Sequence, residues 1–385
     1  MVKTALIVIL SMLLIIAAAI FAVDFAFYLK NKYCRYHIGK WKNFSDWQKA
    51  FERVAVKWVK KTPTVKITDN SRYMLFDMLS GKYRSISIQS WQKAALILGL
   101  LESGKPELVK AAREAARELL DESGQWKKKP IAVDCGMLSY AIIKASDDPQ
   151  KIKPAMDYSL SLIKKNINEY GMVSYTGGKN NPEMYVDTLG LVCPFLALYA
   201  NTYSCGELEE VAFNQLKMYH DYGLYKDTSL PNHAFNIETK LPLGVYGWGR
   251  GTAWYLIGLV DTYNSLTNED YRNNILLWIS ESAEKYAKYQ KKDGGFGATL
   301  QRKETYDSSA TASLAWFYRQ YGIIFESDKY TELADKSIKR LMKATRISGK
   351  LDWCQGDTKG IGIFAQTYDI MPFAQGMALR AINTR

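Results

Sequence analysis

Histidine is scarce in this chain and cysteine falls in no pattern. Three histidines occur in 385 residues, His37, His220 and His233, too few and too scattered for a centre that works through several imidazoles. The five cysteines at 34, 135, 193, 205 and 354 lack close metal-ligand spacing, so neither a zinc site nor a metal cofactor is expected. Their odd number leaves at least one free thiol and favours a reducing compartment. No zinc finger, helix-turn-helix or Gly-rich phosphate loop is present, which excludes nucleic acid as the expected partner despite a net charge of +12. Clean two-residue alternation over strand length is also missing, which argues against a β architecture.

What the chain does have begins at its N-terminus. Residues 5 to 23 form an apolar run broken only by Ser11, about the length of a bilayer-crossing helix. The continuation from Val23 to Tyr28 offers a poor small-x-small cleavage site, so a retained anchor over residues 1–28 is expected, with membrane lipid as a partner. Lys30, Lys32, Arg35, Lys40 and Lys42 follow the run and only Lys3 precedes it, which predicts that the remainder faces the cytoplasm, with an exported or periplasmic-facing domain as the alternative. Residues 29–45 read as a basic juxtamembrane linker near anionic headgroups, and 46–385 as one large domain.

Helical periodicity dominates beyond residue 45. Twelve helices are expected, near 46–61, 88–102, 105–122, 133–146, 150–168, 184–202, 206–220, 248–267, 270–291, 307–322, 327–344 and 370–383, with a short extra one at 70–79. Every second member is apolar on most faces and carries small residues, as in the stretches 94–100 and 256–260. Such helices are buried all round, whereas 105–122 and 270–291 keep a polar side for solvent. Six inner and six outer helices predict an all-α (α/α)6 barrel behind one transmembrane helix. Long Gly-, Asn- and Tyr-rich links at 169–183, 221–247, 292–306 and 345–369 lead into inner helices, while the reverse links are short. One end of the barrel should therefore be elaborated, and loops of that length are usually functional.

Polar residues recur at that end. Asp134, Asp187, Arg250 and Asp307 stand at the starts of four successive inner helices, although an Asp at a helix start is ordinarily an N-cap. Asp187, one turn into an apolar helix, would be desolvated and suited to donating a proton near neutral pH. Arg250 and Trp254 are four apart on one helix face, a guanidinium and an indole able to hold a carboxylate and a sugar ring. The plainer reading of Arg250 is a buried cap for another helix. His233, in the loop Asn232-His233-Ala234-Phe235-Asn236, is a candidate ligand contact, and Asp134 supplies a second carboxylate. Two carboxylates with a cationic clamp suit glycan chemistry.

These blocks resemble glycoside hydrolase families 88 and 105, the unsaturated glucuronyl and rhamnogalacturonyl hydrolases. The resemblance runs from Ser87 to Ala381 and rests on Val186-Asp187-Thr188-Leu189 with Pro194-Phe195-Leu196, the His233-Ala234-Phe235 loop, Trp248-Gly249-Arg250-Gly251 with Trp254, and Tyr306-Asp307-Ser308-Ser309. It implies an (α/α)6 barrel without cofactor, with Asp187 as general acid and base and Asp134 as its partner carboxylate. His233, Trp248, Arg250 and Trp254 would line the subsite of an acidic oligosaccharide, whose unsaturated uronosyl C4=C5 bond is hydrated. Against the family pattern, Tyr185 stands where Trp is usual, Thr252 where Asn is frequent, and the loop 171–176 has no His. Those departures leave a non-catalytic saccharide-binding or polysaccharide-assembly protein as the alternative. A sugar epimerase on the same fold is disfavoured by the histidine count.

Overall fold

The computed structural model describes residues 2–64, 68–82, 89–175, 180–302 and 304–384. Ser87, Ile88 and Thr176, which belong to segments named above, lie outside them. The chain is mostly helical: α1 (Val2–Arg35), α2 (Phe44–Lys60), α3 (Met74–Leu79), α4 (Gln89–Leu101), α5 (Pro106–Arg117), α6 (Cys135–Ala145) and α7 (Pro149–Lys165). After β1 (Glu183–Tyr185) come α8 (Val186–Tyr203) and α9 (Glu207–Tyr222), then β2 (Asn232–Asn236) and β3 (Pro242–Tyr246). The remainder is α10 (Gly249–Tyr263), α11 (Glu269–Ala287), α12 (Ser308–Ile324), α13 (Asp328–Lys343), the two-residue β4 (Cys354–Gln355) and β5 (Tyr368–Asp369), and α14 (Pro372–Asn383).

The apolar helices pack in a cycle. α4 lies against α6, α6 against α8, α8 against α10, α10 against α12, α12 against α14, and α14 returns to α4. They approach closely because glycine faces backbone at the seams. A Cβ on Gly376 would sit 2.2 Å from the Ala95 carbonyl carbon, and one on Gly136 2.4 Å from the Leu191 oxygen. The amphipathic α2, α5, α7, α9, α11 and α13 lie outside these, turning apolar stripes such as Leu108, Ala112 and Ala115 of α5 inward.

Helix boundaries follow local chemistry. Asn43, Asp148, Asn268 and Asp307 each accept a backbone N–H from the first turn of the helix that follows. The connections are unequal: three residues separate α6 from α7, whereas 344–371 separate α13 from α14.

Three features differ from the sequence expectations. The long links are not structureless, since β1, β2 and β3 form an antiparallel sheet at the elaborated end, with Tyr185 opposite Ala234 and Ala234 opposite Leu243. His233 therefore sits on a strand rather than in a loop. β1 pairs with β2 from a separate link, and a register shift between Asn232 and Ala234 interrupts the β2–β3 pairing, so short-range alternation could not announce the sheet. Finally, α1 runs unbroken past residue 28 to Arg35, so the first part of the basic segment 29–45 is helical. Its apolar stretch is exposed and, by length and composition, sufficient to cross a membrane, with mean hydropathy 3.2.

Candidate active site

A cavity of about 270 Å³ opens among the N-termini of the apolar helices. Trp91 of α4, Asp134 before α6, Asp187 and Leu191 of α8, and Arg250 and Trp254 of α10 form its base. Strands β1 and β2 add Tyr185 and His233, and the loops add Tyr175 and the run Asp357-Thr358-Lys359-Gly360. Of the residues singled out in the sequence, Asp134, Asp187, His233, Arg250 and Trp254 are thus brought together.

Asp187 is the second residue of α8, at the helix start rather than one turn in. It caps nothing: its Oδ2 is buried without a hydrogen-bond partner among the described residues. Burial, reinforced by the Asp357 carboxylate and only partly opposed by Arg250, pushes its pKa up to about 7. Asp134 precedes α6 and likewise makes no capping bond. Burial and Asp357 also raise its pKa to about 7. Burial raises Asp357 itself, against the pull of Arg250. Three carboxyls thus share one cavity, and the charge of Asp357 raises the pKa of both Asp134 and Asp187.

His233 is fixed from behind. Its Nδ1 accepts the Gly362 N–H at 3.1 Å, so the neutral ring carries its proton on Nε2, 3.6 Å from Asp187 Oδ2. Burial and then Arg250 lower its pKa to about 4, which keeps the ring neutral at pH 7. His233 also packs against Trp248 and Phe364, at centroid distances of 4.8 and 5.5 Å.

Arg250 is almost wholly buried, and its fork is committed. One terminal nitrogen donates to the Gln355 carbonyl and the other to that of Gly356, both at 2.7 Å, and the second lies 3.7 Å from Asp357. It thereby draws the loop carrying Asp357 over the cavity, a clamp on the protein's own backbone as much as on a ligand. Trp254 stands between Trp91 and Phe373, at 5.5 and 4.8 Å.

Two residues from the sequence stand apart. Trp248 does not line the cavity; its indole donates to Gln355 Oε1 and backs His233. Asp307 is an N-cap, accepting from Ser309 and Ala310 and from the Gln355 N–H. The departures divide similarly. Tyr185 lines the cavity beside Tyr175, whereas Thr252 is buried and bonds the Trp248 carbonyl. Asp357 was not singled out in the sequence, and the only available signal was its place in the long link 345–369. Among the described residues, no three His, Cys, Asp or Glu side chains are grouped as a metal would need.

The family model for Glycosyl Hydrolase Family 88 matches residues 51–383, nearly all of the chain beyond α1. The chain belongs to glycosyl hydrolase family 88. No curated protein matches it by sequence. Solved structures with a similar fold include a possible member of GH105 family from Klebsiella pneumoniae subsp. pneumoniae MGH 78578. That structure is 16% identical at TM-score 0.70, covering 89% of this chain and 93% of that one. The unsaturated glucuronyl hydrolase responsible for the degradation of glycosaminoglycan from Bacillus sp. GL1 is 19% identical at TM-score 0.63, covering 87% and 96%. An unsaturated glucuronyl hydrolase specific for heparin is 15% identical at TM-score 0.63, covering 88% and 96%. At these identities the likeness is one of fold. For this family 88 member the cavity at the helix N-termini is the candidate active site.

Proposed function

We propose that the protein hydrates the C4=C5 double bond of an unsaturated uronosyl residue at the end of an oligosaccharide, on an (α/α)6 barrel formed by residues 46–385. The cyclic packing of six buried helices supports the barrel. The observation that carries the reaction is Asp187: a largely buried carboxyl with a pKa near 7 and an unpartnered oxygen in a cavity shared with Asp134, Asp357 and Arg250.

In this reading protonated Asp187 delivers its proton to C4 while water adds at C5 and gives up its own proton to a neighbouring carboxylate, Asp134 or the newly ionised Asp187. The resulting hemiketal opens and releases the remaining saccharide. Neutral His233 can donate from Nε2 without competing as a base. Trp254, Tyr175 and Tyr185 offer aromatic surface to the ring, and Arg250 and Lys359 supply positive charge for the uronate carboxylate. Trp248 acts from behind by fixing His233 and Gln355. Glucuronyl hydrolases among the structural neighbours support this class of substrate.

Incubation with lyase-generated oligosaccharides should remove their absorbance at the ultraviolet edge. Asp187→Asn should abolish the loss, and equal rates for the two proteins would refute the assignment. We further read α1 as a retained anchor with the barrel on the cytoplasmic side, on the strength of the basic residues that follow it. A C-terminal reporter active on one side of the membrane checks that orientation.

A further inference from the structure

Helix α1 does not end at the apolar run; it is built into the face that carries the cavity. At the end of that run the Asp24 carboxylate accepts the N–H groups of Tyr73 and Met74 at 2.8 and 2.9 Å, fixing the start of α3 there. Eleven residues further, about 17 Å along the helix, Arg35 donates to Asp352 at 2.8 and 2.9 Å and to the Tyr368 carbonyl at 2.7 Å. Its guanidinium also lies over the Trp353 ring. Asp352 and Tyr368 flank the loop that holds Asp357.

The segment containing α3 completes the connection. Asp69 pairs with Lys359 at 2.9 Å and accepts the Gln366 N–H at 3.1 Å, while Asn70 and Thr68 bond Asp77 of α3. Lys359 and Gly360 line the cavity. A continuous set of polar contacts thus runs from the end of the apolar run, through 68–79, to the cavity rim.

The same segment exposes a cluster of large apolar side chains. Tyr73, Phe76 and Leu79 are 63%, 53% and 76% exposed on a six-residue helix whose start is bonded to the end of the span. Ile363, on the loop tied to Asp69 through Lys359 and Gln366, is 57% exposed. With α1 read as a span, Asp24, the first charged residue after the apolar run, marks the change from hydrocarbon to headgroups, where amphipathic aromatic side chains partition favourably.

We propose that α3 is an interfacial membrane contact: Tyr73, Phe76 and Leu79 seat in the lipid headgroup region beside α1 and hold the cavity mouth at the bilayer surface. The occupant of this face is lipid. The proposal rests on α1 being a retained span and is independent of the chemistry assigned to the cavity. Combined with that chemistry, it makes glycan ends presented at the membrane surface the natural substrates.

The test uses the full-length chain in vesicles of phosphatidylcholine and phosphatidylglycerol, with Cys34→Ser and Cys205→Ser removing the two cysteines that are not fully buried. A nitroxide is placed at Leu79→Cys or, as control, at Ile323→Cys, an exposed apolar position near the C-terminal end of α12. The label at 79 should show several-fold higher collision with oxygen relative to a water-soluble nickel chelate than the label at 323. Phe76→Cys should behave like Leu79→Cys and guards against a local effect of one substitution. Equal ratios at 79, 76 and 323, or release of the chain by alkaline carbonate, would overturn the proposal. The readout contains no glycan, so inactivity toward unsaturated oligosaccharides would leave it standing.

Discussion

Asp187 concentrates a conflict between stability and chemistry in one side chain. Its ordinary carboxyl pKa of 3.8 is raised to about 7 in the fold. The folded state therefore binds the proton more tightly than the unfolded chain, and its contribution is fully present below pH 3.8 and lost as pH rises through 7. By that linkage Asp187→Asn, which cannot ionise, should abolish turnover yet raise the melting temperature at pH 8, with the gain fading toward pH 4. The effect is on the order of 4 kcal/mol, and thermal melts of both proteins across that range measure it. Asp357 contributes to the same shift by charge repulsion. Asp357→Asn should therefore move the alkaline limb of the pH–kcat profile to lower pH, whereas a merely structural role would lower kcat without moving the limb. Asp187 was legible in the sequence because polar residues recur at the starts of successive apolar helices, although an N-cap would explain any one of them alone. Asp357 was not. It reaches the cavity because Arg250 binds the Gln355 and Gly356 carbonyls, more than 100 residues away in sequence. Trp248 misled in the opposite sense, since its motif neighbours face the cavity while its own ring turns to support His233.

At the scale of elements, the order of buried and half-exposed helices was legible because hydrophobic patterning reports burial directly. A closed ring was expected from the count of six inner helices, but the contacts that close it were not legible. Closure depends on which small residues meet across a seam, and α4 and α14 come from opposite ends of the domain. There Gly376 faces the Ala95 backbone and a Cβ on Gly99 would lie 2.4 Å from the Gly376 oxygen. Protein interiors yield little to added volume, so Gly376→Val should force the two helices apart and cost roughly 3 kcal/mol. Gly206→Ala provides the contrast, because a Cβ there meets nothing within 4 Å and the backbone has no positive φ. Urea denaturation should separate the two variants by their midpoints, and similar midpoints would deny the seam its role. The small sheet β1–β2–β3 belongs to this scale as well. It converts two long links into a frame that presents Tyr185 and His233 to the cavity from paired strands.

For the whole molecule, the question is how an N-terminal helix that can cross a membrane is coupled to a cavity formed mostly by residues far along the chain. Asp352 is the junction. It is buried and accepts from Arg35 and from Arg346, which also pairs with Asp369 at 2.8 Å. Burial alone would raise its pKa, but hydrogen bonds from Arg35 and Arg346 hold it below the usual carboxylate range. A depressed carboxyl stabilises the fold above pH 3.8 and loses that contribution as pH falls below it. Arg35→Ala leaves Asp352 one cation instead of two. Because Arg35 is partly exposed and Arg346 remains, the cost should be about 1–2 kcal/mol rather than that of an orphaned buried charge. The loss should be largest near neutral pH and shrink as pH falls below 3.8 and through the depressed pKa of Asp352, where its carboxylate takes up a proton. Since Asp352 and Tyr368 flank the loop bearing Asp357, the same variant should raise KM more than it lowers kcat. A kcat loss with unchanged KM would place Arg35 in the chemistry instead of in the tether between helix and loop.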